Sequence, residues 1–139
     1  MKHSILSVVI FLFSIVGFAQ DNPVKILFDV TSSHVEPQQA TVRHVKGMSE
    51  AYPESEFEIV VYGGALDMLL KGKSSVTDGI IELSKRKNVT VNACNGTMKR
   101  RNVQKSDLIE GVHVVPDAIF ELAVKQKAGW SYIKESYNN

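Results

Sequence analysis

The chain has 139 residues, of which 44% are hydrophobic and 22% are charged, and its formal net charge at pH 7 is +1. This length and this balance are typical of one globular domain. A net charge so close to zero provides no overall field that would attract nucleic acid or an anionic membrane, so we expect no nucleic-acid partner.

The N-terminus has the pattern of a secretory signal peptide. Lys2 precedes an apolar run at residues 5–18, and small residues stand at the positions that a signal peptidase inspects. The run is shorter than the ~20 residues that a helix needs to cross a bilayer, so we expect no stable membrane insertion. Residues 1–19 are therefore predicted to be a signal peptide that is cleaved near Ala19, which gives an exported, periplasmic or extracellular product. Residues 20–139 are predicted to form one domain.

The first half of this domain contains two apolar, β-branched segments, residues 24–30 and 57–64, which are typical of strands covered on both faces. Between them, apolar residues recur at three- and four-residue spacing, which predicts an amphipathic helix that ends before Pro53. These apolar residues are Val42, Val45, Met48 and Tyr52.

The second half continues the alternation. We predict a helix that begins at Thr77, a third strand at residues 89–94, a short basic helix from about Met98 and a fourth strand at residues 111–115. Alternation of strands and helices predicts an α/β fold of three layers, with a mostly parallel sheet of four to five strands flanked by helices.

The C-terminal segment begins with a helix that Pro116 and Asp117 open and that Gly129 ends. Its apolar residues are expected to be buried, and they are Ile119, Phe120, Leu122, Ala123 and Val124. The sequence GWSYIKES that follows fits either a fifth short strand or a packed tail. We expect Trp130 and Tyr132 in this segment to be packing or interface residues.

The carboxyl ends of parallel strands meet at one edge of a sheet, where ligands bind. The predicted strands bring His34, which follows the first strand, to this edge together with two short segments. The ligand-binding candidates in these segments are Tyr62, Gly63, Gly64, Asn95, Gly96 and Thr97.

Cys94 is the only cysteine of the chain and the strongest candidate for chemistry. It alternates in phase with Thr90 and Asn92 rather than with the valines of the third strand. Thr97 is expected to cap the helix that follows, and a helix N-terminus with nearby cations lowers the pKa of a thiol by stabilising the thiolate. A buried, inert cysteine is the alternative.

The sequence contains no signature of a cofactor. His34, His44 and His113 lack the spacing of metal ligands, and a structural zinc site would need more than one cysteine or a histidine pair, so we expect no metal. No glycine-rich phosphate loop is present in the sequence. Because His34 lies in the loop after the first strand, at the edge where Cys94 is expected, it is interpreted as an acid–base partner of Cys94.

Several segments together resemble the DsrE/DsrF-like family of small α/β proteins associated with sulfur metabolism. They are VKILFDVT, IVVYGGALDMLL, NVTVNACNGTMKRR and LIEGVHVVPDAIFELAVKQKAGWSYIK. The resemblance implies a sheet flanked by helices and homo-oligomers such as trimers or hexamers. In the sulfur-relay members it also implies a cysteine that accepts sulfur as a persulfide, and Cys94 stands at that position.

The leading hypothesis is therefore a sulfur carrier or sulfurtransferase in which the Cys94 thiolate exchanges sulfur with a sulfane-sulfur donor and an acceptor thiol. In this hypothesis the amides of Gly96 and Thr97 stabilise charge on the sulfur, and His34 shuttles a proton. Two alternatives stay open. One is a non-enzymatic homo-oligomeric module that binds a small ligand, and the other is a thiol redox sensor.

Overall fold

The computed structural model describes residues 22–136. The predicted signal peptide lies outside this range. The described chain contains five strands and four α-helices, and two 3-10 helices at Gly63–Leu69 and Lys105–Asp107. The strands are β1 Lys25–Val30, β2 Glu56–Val61, β3 Val89–Cys94, β4 His113–Val115 and β5 Ser131–Lys134. The helices are α1 Val35–Ala51, α2 Thr77–Ser84, α3 Asn95–Arg100 and α4 Ala118–Lys127.

The strands form a single sheet in the order β4-β3-β2-β1-β5, and every pair of neighbours is parallel. This confirms the predicted three-layer α/β class. The register places Asp29 beside Val60, and Val61 beside Ala93. The carboxyl ends of the three central strands therefore lie side by side at one edge.

One face of the sheet carries the main hydrophobic core. Alternate residues of β1, β2 and β3 point to this face because side chains alternate along a strand. They pack against α1, α2 and the 3-10 helix at Gly63–Leu69, and Phe28, Phe57 and Ile59 are among the largest buried side chains. The approach between α1 and α2 is close, since a Cβ on Gly79 would lie 2.5 Å from Val42 Cγ1.

The opposite face is covered by α4, and the apolar cluster buried there is much smaller than the main core. This smaller cluster contains Leu27, Val60, Cys94, Ala118 and Leu122. Three polar strand residues, Asp29, Glu58 and Asn92, are also buried, with 5% exposure or less. The sheet therefore has one apolar face and one face where polar groups are buried beside the only cysteine.

Two expectations about helices were wrong. The short basic helix begins at Asn95 rather than near Met98, so Thr97 lies in its first turn and Cys94 takes the cap position. In α4, Leu122 is buried as expected, but Ile119, Phe120, Ala123 and Val124 are exposed. The reason is that α4 contacts the sheet only through the narrow stripe that contains Ala118 and Leu122.

The end of the chain forms a fifth strand, which is one of the two structures expected for it. β5 pairs with β1 in parallel, so Tyr132 lies beside Leu27 and Lys134 beside Asp29. Between α4 and β5, Gly129 has a φ of +89°, a conformation that favours glycine and ends the helix. Within residues 22–136, no helix is long and apolar enough to cross a bilayer.

Candidate functional site

Cys94 is the last residue of β3 and immediately precedes α3. Its side chain is on the α4 face of the sheet and is 6% exposed. This is the face that the alternation of polar residues along the third strand indicates for Cys94. Asn92, two residues earlier, is buried on the same face. The thiol is thus placed at the carboxyl edge of the sheet, under the first turn of α4.

Hydrogen-bond donors surround the sulfur from two elements. The amide of Ala118, at the start of α4, donates to Sγ over 3.4 Å. Burial raises the pKa of the Cys94 thiol, but this effect is outweighed by the donors that face it. The backbone amides of Thr97, Ala118 and Gly96 and the hydroxyl of Thr97 together hold the pKa of Cys94 below its ordinary value. The setting therefore favours the thiolate, which is the nucleophilic form.

Thr97 connects Cys94 to its neighbours. Its side-chain oxygen accepts hydrogen bonds from the amide of Gly63 over 3.2 Å and from Arg100 Nη2 over 3.1 Å. Gly96 leaves the space beside the sulfur open, since a Cβ there would lie 3.6 Å from Sγ and 3.7 Å from Arg100 Nη1. A guanidinium and the sulfur therefore border the same small gap.

The predicted residues Tyr62, Gly63 and Gly64 lie at the adjoining end of β2. Gly63 has a φ of +60°, and a Cβ on Gly64 would lie 3.2 Å from the carbonyl oxygen of Thr31. The two glycines thus allow the chain after β2 to turn against the loop that follows β1. This turn brings Gly63 to Thr97 and keeps Tyr62 beside the Cys94 cluster.

A buried carboxylate, Asp29, lies on the same face at the end of β1. It is 3% exposed, and its Oδ2 accepts hydrogen bonds from Tyr132 over 2.5 Å and from Lys134 over 3.0 Å. Within residues 22–136, its second oxygen, Oδ1, is buried without a well-formed hydrogen bond. A buried carboxylate oxygen without a donor is costly, so its presence at this edge needs a reason.

Tyr62 lies between Asp29 and Cys94. Burial, the Asp29 carboxylate and charge on Cys94 together raise the pKa of Tyr62 to about 12. Burial and Asp29 likewise raise the pKa of Tyr132 to about 12. Both phenols therefore stay neutral and keep their protons at any pH at which the protein would act.

A second buried acid, Glu58, holds α4 on this face. Glu58 is 1% exposed, and its carboxylate contacts Lys125 Nζ of α4 at 2.5 Å and accepts from Asn92 Nδ2 over 2.8 Å. The ring of Trp130 lies 4.5 Å from the same ammonium group. These contacts fix α4, and α4 supplies the Ala118 amide to Cys94.

His34 immediately precedes α1, and its side chain is exposed. Its backbone amide donates to Ser32 Oγ over 3.1 Å. The groups that set the pKa of Cys94 come instead from α3 and from the start of α4. Among residues 22–136, no group of three metal-ligating side chains lies close enough together to hold a metal ion.

The DsrE/DsrF-like family matches residues 25–134, which is nearly all of the described chain. The chain belongs to the DsrE/DsrF-like family. It is therefore a small protein related to sulfur metabolism. A search of curated proteins found no match to this DsrE/DsrF-like protein.

Solved structures share the fold at low sequence identity. MTH1491, a protein of unknown function from Methanobacterium thermoautotrophicum, is 22% identical with a TM-score of 0.74, and the match covers 80% of this chain and 98% of that one. The ychN protein from E. coli is 17% identical with a TM-score of 0.65, over 81% and 97% of the two chains. BT1422, a protein of unknown function from Bacteroides thetaiotaomicron, is 15% identical with a TM-score of 0.67, over 79% and 93%. At these sequence identities, the likeness shows a shared fold and nothing beyond it.

The sequence did not identify three residues that border the site. Ala118, Tyr132 and Lys134 reach Cys94 or Asp29 in the structure. Arg100, one of the cations expected near the thiol, reaches Thr97. A signal for part of this set was present, because Asp29 is an acid inside an apolar strand and must have a partner if it is buried. Its partners lie more than 100 residues further along the chain, at the C-terminal end of the described residues.

Proposed function

We propose that this DsrE/DsrF-like protein is a sulfur carrier or sulfurtransferase that uses Cys94 as its nucleophile. The observation that carries the proposal is the set of donors around Cys94 Sγ, three backbone amides and the hydroxyl of Thr97. These donors stabilise negative charge on a sulfur that burial alone would keep as a thiol. Membership of a family related to sulfur metabolism supports the same reaction class.

The proposed reaction is a transfer of sulfane sulfur between thiols. The Cys94 thiolate attacks the outer sulfur of a donor R–S–SH, so that the donor S–S bond breaks and an S–S bond to Cys94 forms. The electron pair of the broken bond stays on the leaving R–S⁻, which takes up a proton. An acceptor thiol R′–SH then removes the outer sulfur from Cys94 in the same way, and neither half requires an external oxidant or reductant.

The reaction is tested by mass spectrometry of the purified protein after incubation with a low-molecular-weight persulfide. We expect the wild-type protein to gain one sulfur atom at Cys94, and a second thiol to remove it. The variant Cys94→Ser should gain none. Wild-type protein that stays unmodified at Cys94, while a control thiol protein in the same mixture takes up sulfur, would refute the proposal.

We also propose that the protein acts after export, as the N-terminal pattern at residues 1–19 predicts. Its donor and acceptor would then be low-molecular-weight or protein thiols outside the cytoplasm. Export is checked by the N-terminal sequence of the protein in the secreted or periplasmic fraction, which should begin near Gln20. If the protein still begins with Met1 in cells that export a control protein, this result would contradict the proposed export.

Finally, we propose that the protein assembles as a homo-oligomer, a trimer or a hexamer, as the resemblance to the family implies. The supporting observation is the outer stripe of α4, which consists of Ile119, Phe120, Ala123 and Val124 and faces solvent in the single chain. Ile119 is 60% exposed and Phe120 is 70% exposed. Adjacent large apolar residues at such exposure are typical of an interaction surface.

A further inference from the structure

The polar groups on the α4 face form a line across the carboxyl edge of the sheet. Extending the register beyond Val61 and Ala93 places Tyr62 beside Cys94, and Asp29 lies beside Val60 on the neighbouring strand. All three side chains point to the same face because side chains alternate along each strand. The order across the sheet is therefore Asp29, Tyr62 and Cys94, from β1 to β3.

We propose that Tyr62 and Asp29 are the proton relay of Cys94, with Tyr62 as the group that exchanges protons with sulfur and Asp29 Oδ1 as the group that stores the proton. This inference rests on the proposed sulfur transfer, and it gives Tyr62, a ligand-binding candidate from the sequence, and Asp29 a role in proton transfer. Tyr62 thereby takes the proton-transfer role that the sequence predicts for His34.

The bonding of Asp29 supports this assignment. Tyr132 and Lys134 both donate to Oδ2, which fixes the carboxylate and leaves Oδ1 as the oxygen that can accept. The Lys134 ammonium also offsets the negative charge of the buried carboxylate. Oδ1 is thus a buried acceptor that is held in place by donors on the other oxygen, and it is the carboxylate oxygen at which a proton can arrive.

The position of Tyr62 supports the other half of the relay. Its ring packs against the cluster that contains Cys94, and the charges of both Asp29 and Cys94 act on its hydroxyl. A hydroxyl can accept a proton on its oxygen while it gives its own proton to a second acceptor. Since the phenol stays neutral at working pH, it remains able to do both.

The proton balance of the transfer then closes within the site. When Cys94 is activated, its proton passes to Tyr62, and the Tyr62 proton passes to Asp29 Oδ1. After the donor S–S bond breaks, the same steps in reverse return the proton to the leaving R–S⁻. The sum is R–S–SH plus Cys94–SH giving R–SH plus Cys94–S–SH. Among the other charged groups near this face, Glu58 pairs with Lys125, which also contacts Glu121, and Arg100 donates to Thr97.

The relay is tested by the rate of sulfur uptake at Cys94 as a function of pH, measured for the full-length protein with a low-molecular-weight persulfide. Tyr62→Phe removes only the hydroxyl, and Asp29→Asn removes the proton acceptor. We expect either change to lower the transfer rate by about 100-fold. We also expect the two variants to change the pH dependence of the rate in the same way, because both interrupt the same relay. Tyr52→Phe, at an exposed tyrosine at the end of α1, is the matched control and should keep the wild-type rate.

The outcomes separate the relay from the proposed function. If wild-type Cys94 takes up no sulfur, the proposed function falls and the relay falls with it. If the wild-type protein takes up sulfur and Tyr62→Phe does so at the same rate with the same pH profile, the relay is wrong and the function stands. Circular dichroism and thermal unfolding identify a variant that fails to fold, and the rate of the variant at the other relay residue then decides. A reduced rate in that folded variant supports the relay, and an unchanged rate refutes it.

Discussion

At the scale of single residues, the reactivity of Cys94 depends on a balance between burial and hydrogen bonding. Burial acts against the thiolate, and four donors act for it, with the result that the pKa of Cys94 is lowered. Hydrogen bonds to a charged group contribute about 1.5–3 kcal/mol each, so the loss of one donor should be measurable. Thr97 is the most informative donor because its hydroxyl can be removed at nearly constant volume.

We expect Thr97→Val to reduce the rate of Cys94 alkylation at neutral pH by about tenfold, because one hydrogen bond to the thiolate is lost. The rate against pH, measured with a neutral alkylating reagent, should show its midpoint at a higher pH than in the wild-type protein. Thr90→Val, at an exposed position on the same strand and the same face of the sheet as Cys94, is the control. An unchanged midpoint in Thr97→Val would show that the hydroxyl does not stabilise the thiolate.

The residues of this site differ in how far the sequence could predict them. Cys94, Gly96 and Thr97 are close in sequence, so strand parity and the start of a helix were enough to group them. Tyr132 and Lys134 reach Asp29 only because β5 returns to the far side of β1. Parallel pairing between the first and last strands leaves no local pattern in the sequence, and the polar partners of Asp29 could not be predicted for that reason.

At the scale of elements, α4 shows why its orientation was predicted wrongly. Apolar residues occur on more than one side of this helix, so its pattern does not select the side that faces the sheet. The ion pair between Glu58 on β2 and Lys125 on α4, at 2.5 Å, determines which side of α4 faces the sheet. An acid in a strand and a lysine in a distant helix do not reveal this contact in sequence.

The Glu58 contact also predicts how stability changes with pH. Burial is the largest effect on Glu58 and raises its pKa above the ordinary value of 4.5, despite the opposing effects of Lys125 and Asn92. The folded protein therefore holds this proton to a higher pH than the unfolded chain does. As the pH rises from below 4.5 through the folded pKa, this group lowers the free energy of unfolding.

We expect Glu58→Gln, which cannot ionise, to gain stability relative to the wild-type protein as the pH rises through this interval. Urea unfolding of both proteins at a series of pH values measures the difference in free energy of unfolding. Glu54→Gln, at an exposed position in the turn before β2, reports the effect of replacing a carboxylate by an amide. A difference between Glu58→Gln and the wild-type protein that stays constant with pH would contradict the prediction.

At the scale of the whole molecule, the two faces of the sheet have different roles. The face covered by α1 and α2 carries the main apolar core, whereas the α4 face carries Cys94 and the buried acids. The outer stripe of α4 begins at Ile119, directly after the Ala118 amide that donates to Cys94. A second copy bound to this stripe would therefore lie next to the thiol, so assembly and access to Cys94 are expected to be linked.

We expect Phe120→Glu to dissociate the proposed homo-oligomer, because a carboxylate would be buried in the proposed contact and the loss of an aromatic anchor costs about 2 kcal/mol or more. Multi-angle light scattering after size exclusion should give the mass of a trimer or hexamer for the wild-type protein and a smaller mass for the variant. Val35→Glu, at an exposed apolar residue of α1 on the other face, should leave the mass unchanged. A wild-type protein that is monomeric at all concentrations would refute assembly. A Phe120→Glu variant that keeps the wild-type mass would show that the interface lies elsewhere.

If assembly covers Cys94, the alkylation rate of the wild-type protein should fall as its concentration rises, and that of Phe120→Glu should not.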